Sequence, residues 1–451
     1  MILTGRRIIY SDETEITRDN LLTVLNNALS VHNMNRMEIQ YLYDMYRGVF
    51  PQVIERKKEV REDIQNTVIE NHAYEIVSFK TGYLLGEPIQ YARRNEDEAF
   101  NDKISTLNGY MNLLGKNNKD KELGEWAYIC GVSYRMVLAR NPLEFDNLDP
   151  RNAFVVYNNG FGRKPLMGVS YNPKTGVFEV FTKNHYYKVL GADILEERVY
   201  SYPQIPIIEY HMNRARLGAF EPVITLMDAI NALQSNRADA VEQFVQAFMK
   251  FRGVNAEDID MEKINELKAI VLPGVGNGAQ PDVELISSEL NQSQVQILID
   301  DLNFKIRNIC GLPLTNGTAG SSSDTGAAVI YRDGWEQTEA RARDDEMSFI
   351  ESEKMFLGIV LDILNTQENL GLDLNSIDIK FNRRYSDNLL VKSQALTELL
   401  NDGIHPLIAY QTVGLFKDSI DVYEMSKKYQ EEKRNARDEE ISTDRSAMQT
   451  M

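Results

Sequence analysis

Cysteine is almost missing from this 451-residue sequence, in which only Cys130 and Cys310 occur. The two lie far apart, and neither has a second cysteine at the Cys-x-x-Cys spacing. A chain with so little cysteine is not cross-linked by a set of disulfide bonds, so we expect it in a reducing compartment such as the cytosol. Both thiols are expected to be buried and inert.

Groups for metal binding and catalysis are scarce as well. The chain has five histidines, none paired with a second His or Cys at metal-ligand spacing, and no His-Glu-x-x-His motif. No Gly-x-Ser-x-Gly elbow positions a serine nucleophile. The acidic cluster Asp344-Asp345-Glu346 falls on consecutive helical positions, which point in different directions. The sequence therefore predicts no metal, no cofactor and no catalytic residue, and so no enzyme.

Positive charge is in deficit. The 49 Lys and Arg face 67 Asp and Glu, a formal net charge of -18. That balance disfavours broad binding of a phosphate backbone, because few cations are available to release counterions. It also disfavours adhesion to anionic membranes. An acidic lining would suit a protein that nucleic acid must slide past without sticking, and simple solubility is the other interpretation.

Long hydrophobic runs are absent too. No stretch approaches the roughly 18 apolar residues of a membrane span. The N-terminus has three apolar residues ahead of Arg6 and Arg7, which is too few for a signal peptide. We expect a soluble, unexported protein with two to four compact units.

What the sequence does contain is an α+β pattern that is predominantly α. Apolar residues recur at three- and four-residue steps over Asp19–Tyr46, Ile54–Tyr83 and Glu98–Leu114, which predicts helices. After Gly131, short β-branched and aromatic runs separated by Asn, Gly and Pro predict an antiparallel β unit. The predicted strands are Tyr134–Ala139, Ala153–Tyr157, Gly168–Tyr171, Val177–Phe181, His185–Val189 and Ile207–Tyr210.

The middle of the chain has two long helical patterns around a turn-rich insert. An apolar stripe from Val223 to Phe248 predicts a helix that reaches Gly253, and a second stripe over Val295–Ile309 predicts a helix that Gly311 stops. Strands are predicted within the insert at Ala269–Leu272 and Val283–Ile286. A helical rod with a small module at one end suits a subunit of a ring better than it suits an enzyme.

A loop of small polar residues, Leu314–Gly326, follows the second rod helix. A phosphate-binding P-loop needs Gly-x4-Gly-Lys-Ser/Thr, and this loop has no Lys or Arg. Nucleotide binding is therefore disfavoured, and a plain flexible linker stays open as an alternative. Beyond it, a helix is predicted over Ala327–Leu364 with a bend at Gly334. The remaining predictions are a strand at Ile377–Phe381, helices at Leu389–Asn401, Pro406–Val413 and Asp421–Arg437, and a disordered tail at Asp438–Met451.

Three segments, in this order and spacing, carry a resemblance to a known family. They are Val77–Ile89, Leu226–Arg237, and Ile309–Pro313 followed by the small-residue loop and Thr325–Val329. Over about Leu21–Lys428 the chain resembles the portal proteins of tailed bacteriophages, of the siphovirus type. Portals of this family are rings, usually of twelve subunits, at one vertex of the capsid.

The resemblance implies an order of structural parts. It implies a wing over 1–219, a first stem helix over 220–252, a clip over 253–287, a second stem helix over 288–311, a tunnel loop over 312–327, a return to the wing over 328–388 and a crown with the C-terminal tail over 389–451. It also implies that the tunnel loop faces the DNA channel. The candidate channel residues are Thr315, Asn316, Thr318, Ser321, Ser322, Ser323 and Asp324.

The clip is the candidate docking surface for the packaging motor and the adaptor. Over 253–287, two lysines stand against seven carboxylates, a net charge of -5. An exposed acidic end can dock a positively charged partner, although a merely soluble loop region would look the same. The candidate docking residues are Asp258, Asp260, Glu262, Lys263 and Glu266.

The function implied by the resemblance is a DNA conduit. Twelve or so copies would form a ring in the virion, assembled in the host cytoplasm, through which double-stranded DNA is packaged and ejected. Implied partners are further copies of the chain, the terminase large subunit, a head-completion or adaptor protein, and the scaffolding and major capsid proteins. Two alternatives are another head–tail structural protein and a phosphate-handling enzyme built around the Gly/Ser loop.

Overall fold

The chain folds into two compact units. A computed structural model describes residues 3–56, 64–94, 101–200, 204–245, 248–252, 282–286, 292–313, 334–383, 389–416 and 419–449. Unit 1 comprises Met1–Tyr46, Ala73–Pro222 and Cys310–Met451, and unit 2 comprises Arg47–His72 and Val223–Ile309. The chain therefore enters unit 2 twice.

The described residues form helices and four sheets, which confirms the α+β class. The helices are α1 (Arg18–Tyr46), α2 (Pro51–Ile54), α3 (His72–Leu85), α4 (Asn101–Leu113), α5 (Lys116–Cys130), α6 (Ile224–Val245), α7 (Gln292–Cys310), α8 (Trp335–Glu368), α9 (Leu389–Asn401), α10 (Pro406–Val413) and α11 (Ser419–Gln449), with 3-10 turns at Glu221–Val223 and Leu374–Ser376. The strands are β1 (Ile9–Ser11), β2 (Gln90–Arg93), β3 (Ser133–Leu138), β4 (Glu144–Leu148), β5 (Ala153–Asn158), β6 (Pro165–Asn172), β7 (Val177–Phe181), β8 (His185–Leu190), β9 (Asp193–Val199), β10 (Ile207–Tyr210), β11 (Phe248–Arg252), β12 (Asp282–Ile286) and β13 (Ile377–Lys380). Within these ranges, no helix has the length and apolar character of a membrane span.

The larger sheet of unit 1 has the order β1-β5-β6-β7-β8-β9. Its pairs are antiparallel except β1 with β5, which are parallel. Alternate side chains along the strands point to one face, where Phe154, Val156 and Val169 pack under Leu21 and Leu25 of α1. The apolar side chains that the helical period places on one face of α1 therefore pack with those that the two-residue period places on one face of the sheet, and together they form one core.

His32 of α1 lies buried against this core. Its ring stacks on Phe154 at 4.5 Å between ring centroids, and its Nε2 lies 3.1 Å from the carbonyl oxygen of Arg151. Burial, with a smaller contribution from the positive charge of Arg36, lowers the pKa of His32 from 6.5 to about 4, although the Arg151 carbonyl acts in the opposite direction. His32 is thus neutral in the folded protein at neutral pH.

The pKa of His32 predicts a pH dependence of stability. Between pH 6.5 and 4 the unfolded chain binds a proton that the folded chain does not, so the free energy of unfolding should fall as the pH falls. The loss should be about 2–3 kcal/mol over that window. Urea unfolding at several pH values should show a shallower dependence in His32→Gln than in the wild type. The exposed Asn33→Gln is the matched control, and an unchanged slope in His32→Gln would contradict the prediction.

A second sheet, β10-β3-β4, packs against α8 in unit 1. Phe145 of β4 meets Phe356 of α8 edge-on at 5.1 Å, and Tyr210 of β10 contacts Phe349 at 4.9 Å. A third, two-stranded sheet joins β13 to β2. Since β2 and β13 are almost 300 residues apart, this pairing ties the end of α8 to the N-terminal half of the chain.

The secondary structure predicted for 64–71 is wrong. This stretch, part of the helix predicted over Ile54–Tyr83, is extended and runs along α6 in unit 2. The N–H groups of Asn66, Val68 and Glu70 donate to Asp239 Oδ1 (2.6 Å), Ser235 Oγ (3.0 Å) and Asn231 Oδ1 (2.7 Å). On a helix, acceptors four residues apart are separated by about 6 Å along the helix axis. This distance is close to the roughly 6.6 Å between alternate residues of an extended chain, so the two series of groups match. These bonds from α6 replace those that a helix over 64–71 would make within itself.

The first rod helix is shorter than predicted. It ends at Val245, and Phe248–Arg252 forms β11, which pairs antiparallel with β12. The apolar spacing is compatible with a helix, but the strand is stabilised by a partner 30 or more residues away, which a periodic pattern cannot reveal. The predicted strand Val283–Ile286 is confirmed within β12, whereas Ala269–Leu272 lies outside the described residues.

Other element boundaries also differ from the predictions. Gly115 alone breaks the chain, with φ of 69°, and α5 starts at Lys116. Gly334 (φ 73°) immediately precedes α8; the part of the predicted helix over 327–333 lies outside the described residues, so the bend at Gly334 stays a prediction. The C-terminal tail is helical to Gln449, not disordered from Asp438, because 419–449 has no Gly or Pro and many good helix formers. Strands β1, β2, β4 and β9 were not predicted.

Candidate functional site

The residues predicted to face the channel or a partner all lie outside the described residues. This holds for Thr315, Asn316, Thr318, Ser321, Ser322, Ser323 and Asp324, and for Asp258, Asp260, Glu262, Lys263 and Glu266. The structure does describe the two chain ends that hold each segment. These ends are the candidate site, and we call the pair that flanks 314–333 the loop frame: Cys310–Pro313 on one side and Gly334–Glu346 on the other.

The first side of the loop frame is buried. Gly311 has φ of 69°, a conformation that glycine adopts without strain, and it ends α7 as predicted. A Cβ at Gly311 would lie 2.9 Å from Cγ of Arg341, so the stem of Arg341 packs directly on this glycine. Cys310 and Leu312 are 5% and 4% exposed. The prediction that this thiol is buried is thus confirmed, and burial raises the pKa of the Cys310 thiol to about 12, which indicates that it is unreactive.

The second side of the loop frame starts at Gly334 and Trp335. The Trp335 ring lies 6.1 Å from both Phe79 and Tyr83 of α3, which themselves stack at 5.7 Å. Two rings of α3 therefore fix the first residue of α8.

Charged groups in the next turns of α8 are paired. Glu339 accepts hydrogen bonds from Tyr83 Oη (2.8 Å), Arg343 Nε (3.1 Å) and Arg383 Nη2 (2.9 Å). Burial alone would raise the pKa of Glu339, but hydrogen bonds from Arg383 and Tyr83 outweigh it and hold that pKa below its ordinary value. Arg383 also donates to Glu346 at 2.5 Å. The start of α8 is thereby fixed to α3 and to the chain after β13.

A further charged side chain of α8, Asp345, is also paired. Asp345 accepts from Tyr128 Oη of α5 at 2.9 Å, and Lys80 Nζ of α3 lies 3.5 Å away. Burial raises the pKa of Asp345, and Lys80 and Tyr128 offset part of that rise. Asp345 and Glu346 of the acidic cluster therefore anchor α8 to the rest of unit 1. Within the described ranges, no group of His, Cys, Asp and Glu is arranged to hold a metal ion.

Deeper in unit 1, α8 is anchored by a buried charge cluster. Glu353, Lys116, Asp120 and Arg135 are each no more than 3% exposed. Lys116 Nζ bridges Asp120 Oδ2 (2.6 Å) and Glu353 Oε1 (2.8 Å), and Arg135 Nη2 contacts Asp120 Oδ1 at 2.8 Å. Two positive and two negative charges make the cluster neutral.

Two tyrosines complete this cluster. Tyr91 Oη and Tyr210 Oη donate to the two oxygens of Glu353 at 2.6 and 2.9 Å. Burial opposes the charge of Glu353, but Lys116 and Arg135 overcome it and lower the pKa of this carboxyl. These residues were not predicted from the sequence. The available signal was Glu353 between Phe349 and Phe356, four positions before it and three after it on the apolar face of a helix.

The second segment, 253–281, is bounded by a ladder in unit 2. Strands β11 and β12 pair antiparallel from Phe248 with Ile286 to Arg252 with Asp282. The chain therefore leaves and re-enters the described structure at one end of a two-stranded sheet. Helices α6 and α7, which precede and follow that sheet, are joined by Arg237 Nη1 donating to Gln296 Oε1 at 2.8 Å.

The exposed face of α7 carries apolar side chains. Ile297 is 68% exposed and Phe304 48%, and Leu298 and Ile309 are also exposed. Of the predicted stripe, Ile306 is buried, Val295 and Leu302 are half-buried, and the outward positions of Ile297 and Phe304 were not predicted. A single copy of unit 2 thus leaves part of its rod uncovered.

Comparisons with known proteins identify a family for this chain. None of the curated proteins matches the chain significantly. A solved structure described as the neck of an empty GTA particle, computed with C6 symmetry, is similar at 12% identity and a TM-score of 0.42, covering 76% of this chain and 90% of that one. A likeness of that size carries no conclusion about function. The family model for phage portal proteins of the SPP1 Gp6-like type matches residues 26–439. Because that match spans most of the sequence, the chain belongs to the SPP1 Gp6-like family of phage portal proteins.

Proposed function

We propose that this portal protein forms a ring at the unique capsid vertex and that double-stranded DNA is packaged and ejected through the hole of the ring. In this proposal the ring contains about twelve copies, docks the terminase large subunit and later a head-completion or adaptor protein, and nucleates assembly of the scaffolding and major capsid proteins. The observation that carries the proposal is the loop frame. Both ends of 314–333 are fixed in unit 1, by Gly311 against Arg341 and by Trp335 against Phe79 and Tyr83.

The parts of the subunit are assigned on the same basis. The wing is 1–219 with 328–388, the crown and C-terminal tail are 389–451, and the tunnel loop is 312–327. The stem consists of α6 and α7, so the first stem helix ends at Val245 and not at Arg252. The clip is 253–287, and β11 with β12 forms its base.

Deleting Thr318–Ser323 tests the channel assignment. The ring should still assemble, because the buried contacts of the loop frame, including Cys310, Leu312 and Trp335, all lie outside the deletion. Packaging or retention of DNA should fail, measured as nuclease-protected DNA per particle. A deletion of equal length near the end of α11, such as 444–449, is the matched control. Rings that fall apart while residual particles hold normal amounts of DNA would show that the loop is an assembly contact.

The clip assignment predicts a separate defect. Changing Asp258, Asp260, Glu262 and Glu266 together to Lys reverses the charge of a segment that is acidic in sequence. Assembled mutant rings should bind the terminase large subunit at least tenfold more weakly in low salt, since complementary charge steers such encounters. Binding equal to the wild type at every salt concentration would remove the docking assignment.

The phosphate-handling alternative has little left in its favour. The family is a structural one, and the loop 314–326 has no Lys or Arg to reach a phosphate group. Purified protein should therefore hydrolyse ATP no faster than a buffer blank, and the energy for packaging must come from a separate motor.

A further inference from the structure

Among the described residues, four cations lie on or beside the loop frame, and three of them are neutralised. Lys80 lies beside Asp345, Arg343 beside Glu339, and Arg383 between Glu339 and Glu346. The fourth, Arg341, has neither a hydrogen bond nor an ion pair to any described residue and is exposed. This difference singles out Arg341 in a chain whose net charge is -18.

The position of Arg341 is fixed even though its charge is unpaired. Its Cβ, Cγ and Cδ atoms lie 2.9–3.7 Å from the place that a Cβ of Gly311 would occupy. Arg341 is on α8, after the loop, whereas Gly311 precedes the loop. The aliphatic stem therefore joins the two sides of the loop frame, and the guanidinium is held at the base of the loop.

We propose that Arg341 is a phosphate contact of the channel, with its guanidinium directed at the backbone of double-stranded DNA at the base of the tunnel loop. This inference rests on the proposed function. A guanidinium binds phosphate oxygens with two parallel hydrogen bonds and keeps its charge at any physiological pH. Cyclic symmetry repeats the contact once per subunit, so the ring presents a circle of identical cations.

The contact suits a duplex that must be held and yet move. One cation per subunit gives an attraction that does not depend on sequence and that salt weakens. The loop over 314–326 adds no cation of its own, and its one charged residue is Asp324. Among the described residues of the loop frame, Arg341 is therefore the unpaired cation that opposes the acidic character of the chain.

Two substitutions separate the charge of Arg341 from its packing. Arg341→Met keeps an unbranched stem against Gly311 and removes the charge, whereas Arg341→Lys keeps both a stem and a charge. Arg343→Met is the matched control, since Arg343 is an exposed arginine of the same helix that is paired with Glu339. DNA-filled particles carrying each variant are held at increasing NaCl concentration, and the nuclease-protected DNA per particle is measured.

Arg341→Met should form normal rings and lose several-fold more DNA than the wild type at about 0.1 M salt, where charges act over about 10 Å. At about 1 M salt, where that range falls to about 3 Å, the two should converge. Arg343→Met should behave as the wild type does, and Arg341→Lys should lose less DNA than Arg341→Met, because Lys keeps the charge but not the paired hydrogen bonds.

Three results would overturn the inference. They are equal retention in Arg341→Met at low salt, an equal loss in Arg343→Met, and rings that fail to form in Arg341→Met, which would make Arg341 a contact between copies. The proposed function is tested separately by the loop deletion. If that deletion releases DNA while Arg341→Met does not, only the role of Arg341 is wrong.

Discussion

Glu353→Ala should destabilise unit 1 by about 3–5 kcal/mol, the cost of removing one partner from a buried ion cluster. The carboxylate is fully buried and contacts Lys116, Tyr91 and Tyr210. Its removal leaves a net positive charge inside the protein and two tyrosine hydroxyls without their acceptor. Urea unfolding should show the loss, followed by the fluorescence of Trp126 and Trp335, which are the two tryptophans of the chain and both lie in unit 1.

Two further variants make this result specific. Glu351→Ala changes an exposed carboxylate of the same helix and should shift the unfolding midpoint very little. The double variant Lys116→Met with Glu353→Met removes one charge of each sign, so the cluster is neutral again and much of the lost stability should return. If Glu353→Ala unfolds at the wild-type urea concentration, or if the double variant is less stable than the sum of its single changes, the cluster does not act as an ion network.

Local patterns predicted the elements in which all the local signals agree. The predicted bounds of Val177–Phe181, Ile207–Tyr210, Leu389–Asn401 and Pro406–Val413 agree with the structure. In these stretches the alternation or the helical period, the turn residues and the burial all favour the same structure. When these local signals agree, a single sequence is enough to predict the element.

The errors occur where a distant partner decides the structure. Residues 64–71 are extended because Asn231, Ser235 and Asp239 bind their backbone from α6. Phe248–Arg252 is a strand because Asp282–Ile286 pairs with it. In both places the sequence is compatible with a helix, and no signal within ten residues identifies the competing partner. Tertiary contacts override propensity in such cases.

In the candidate site, too, the features that depend on local sequence could be predicted and those that depend on distant contacts could not. The loop and its small polar residues are visible in the sequence, and so is Gly311, which ends the helix before the loop. The contact of Arg341 with Gly311 joins residues 30 positions apart, and the pairing of Lys80, Arg343 and Arg383 leaves Arg341 with no carboxylate partner among the described residues. A sequence shows how many charges surround a loop, but only the fold shows which charges are already neutralised.

The uncovered face of α7 leads to the largest expected effect on assembly. Ile297 and Phe304 are seven residues apart, two helical turns, so they lie on one face of the helix, and both are exposed in a single copy. In a ring, unit 2 of each copy would cover this face of α7 on the neighbouring copy. The apolar side chains would then be buried between copies, which supplies the driving force for closure of the ring.

Changing Ile297 and Phe304 together to Asp should therefore convert the ring to monomers at micromolar concentration, as measured by sedimentation. Burying two carboxylates per interface without partners costs several kcal/mol, and symmetry repeats that cost at every interface. The fold of the monomer should be preserved, because both side chains already face water in one copy. Leu113→Asp is the matched control, since Leu113 is 82% exposed on α4 of the other unit and should leave the ring intact. Rings that persist in the double Asp variant would place the contacts between copies on another surface. Dissociation by Leu113→Asp as well would mean that added negative charge, and not the face of α7, governs assembly.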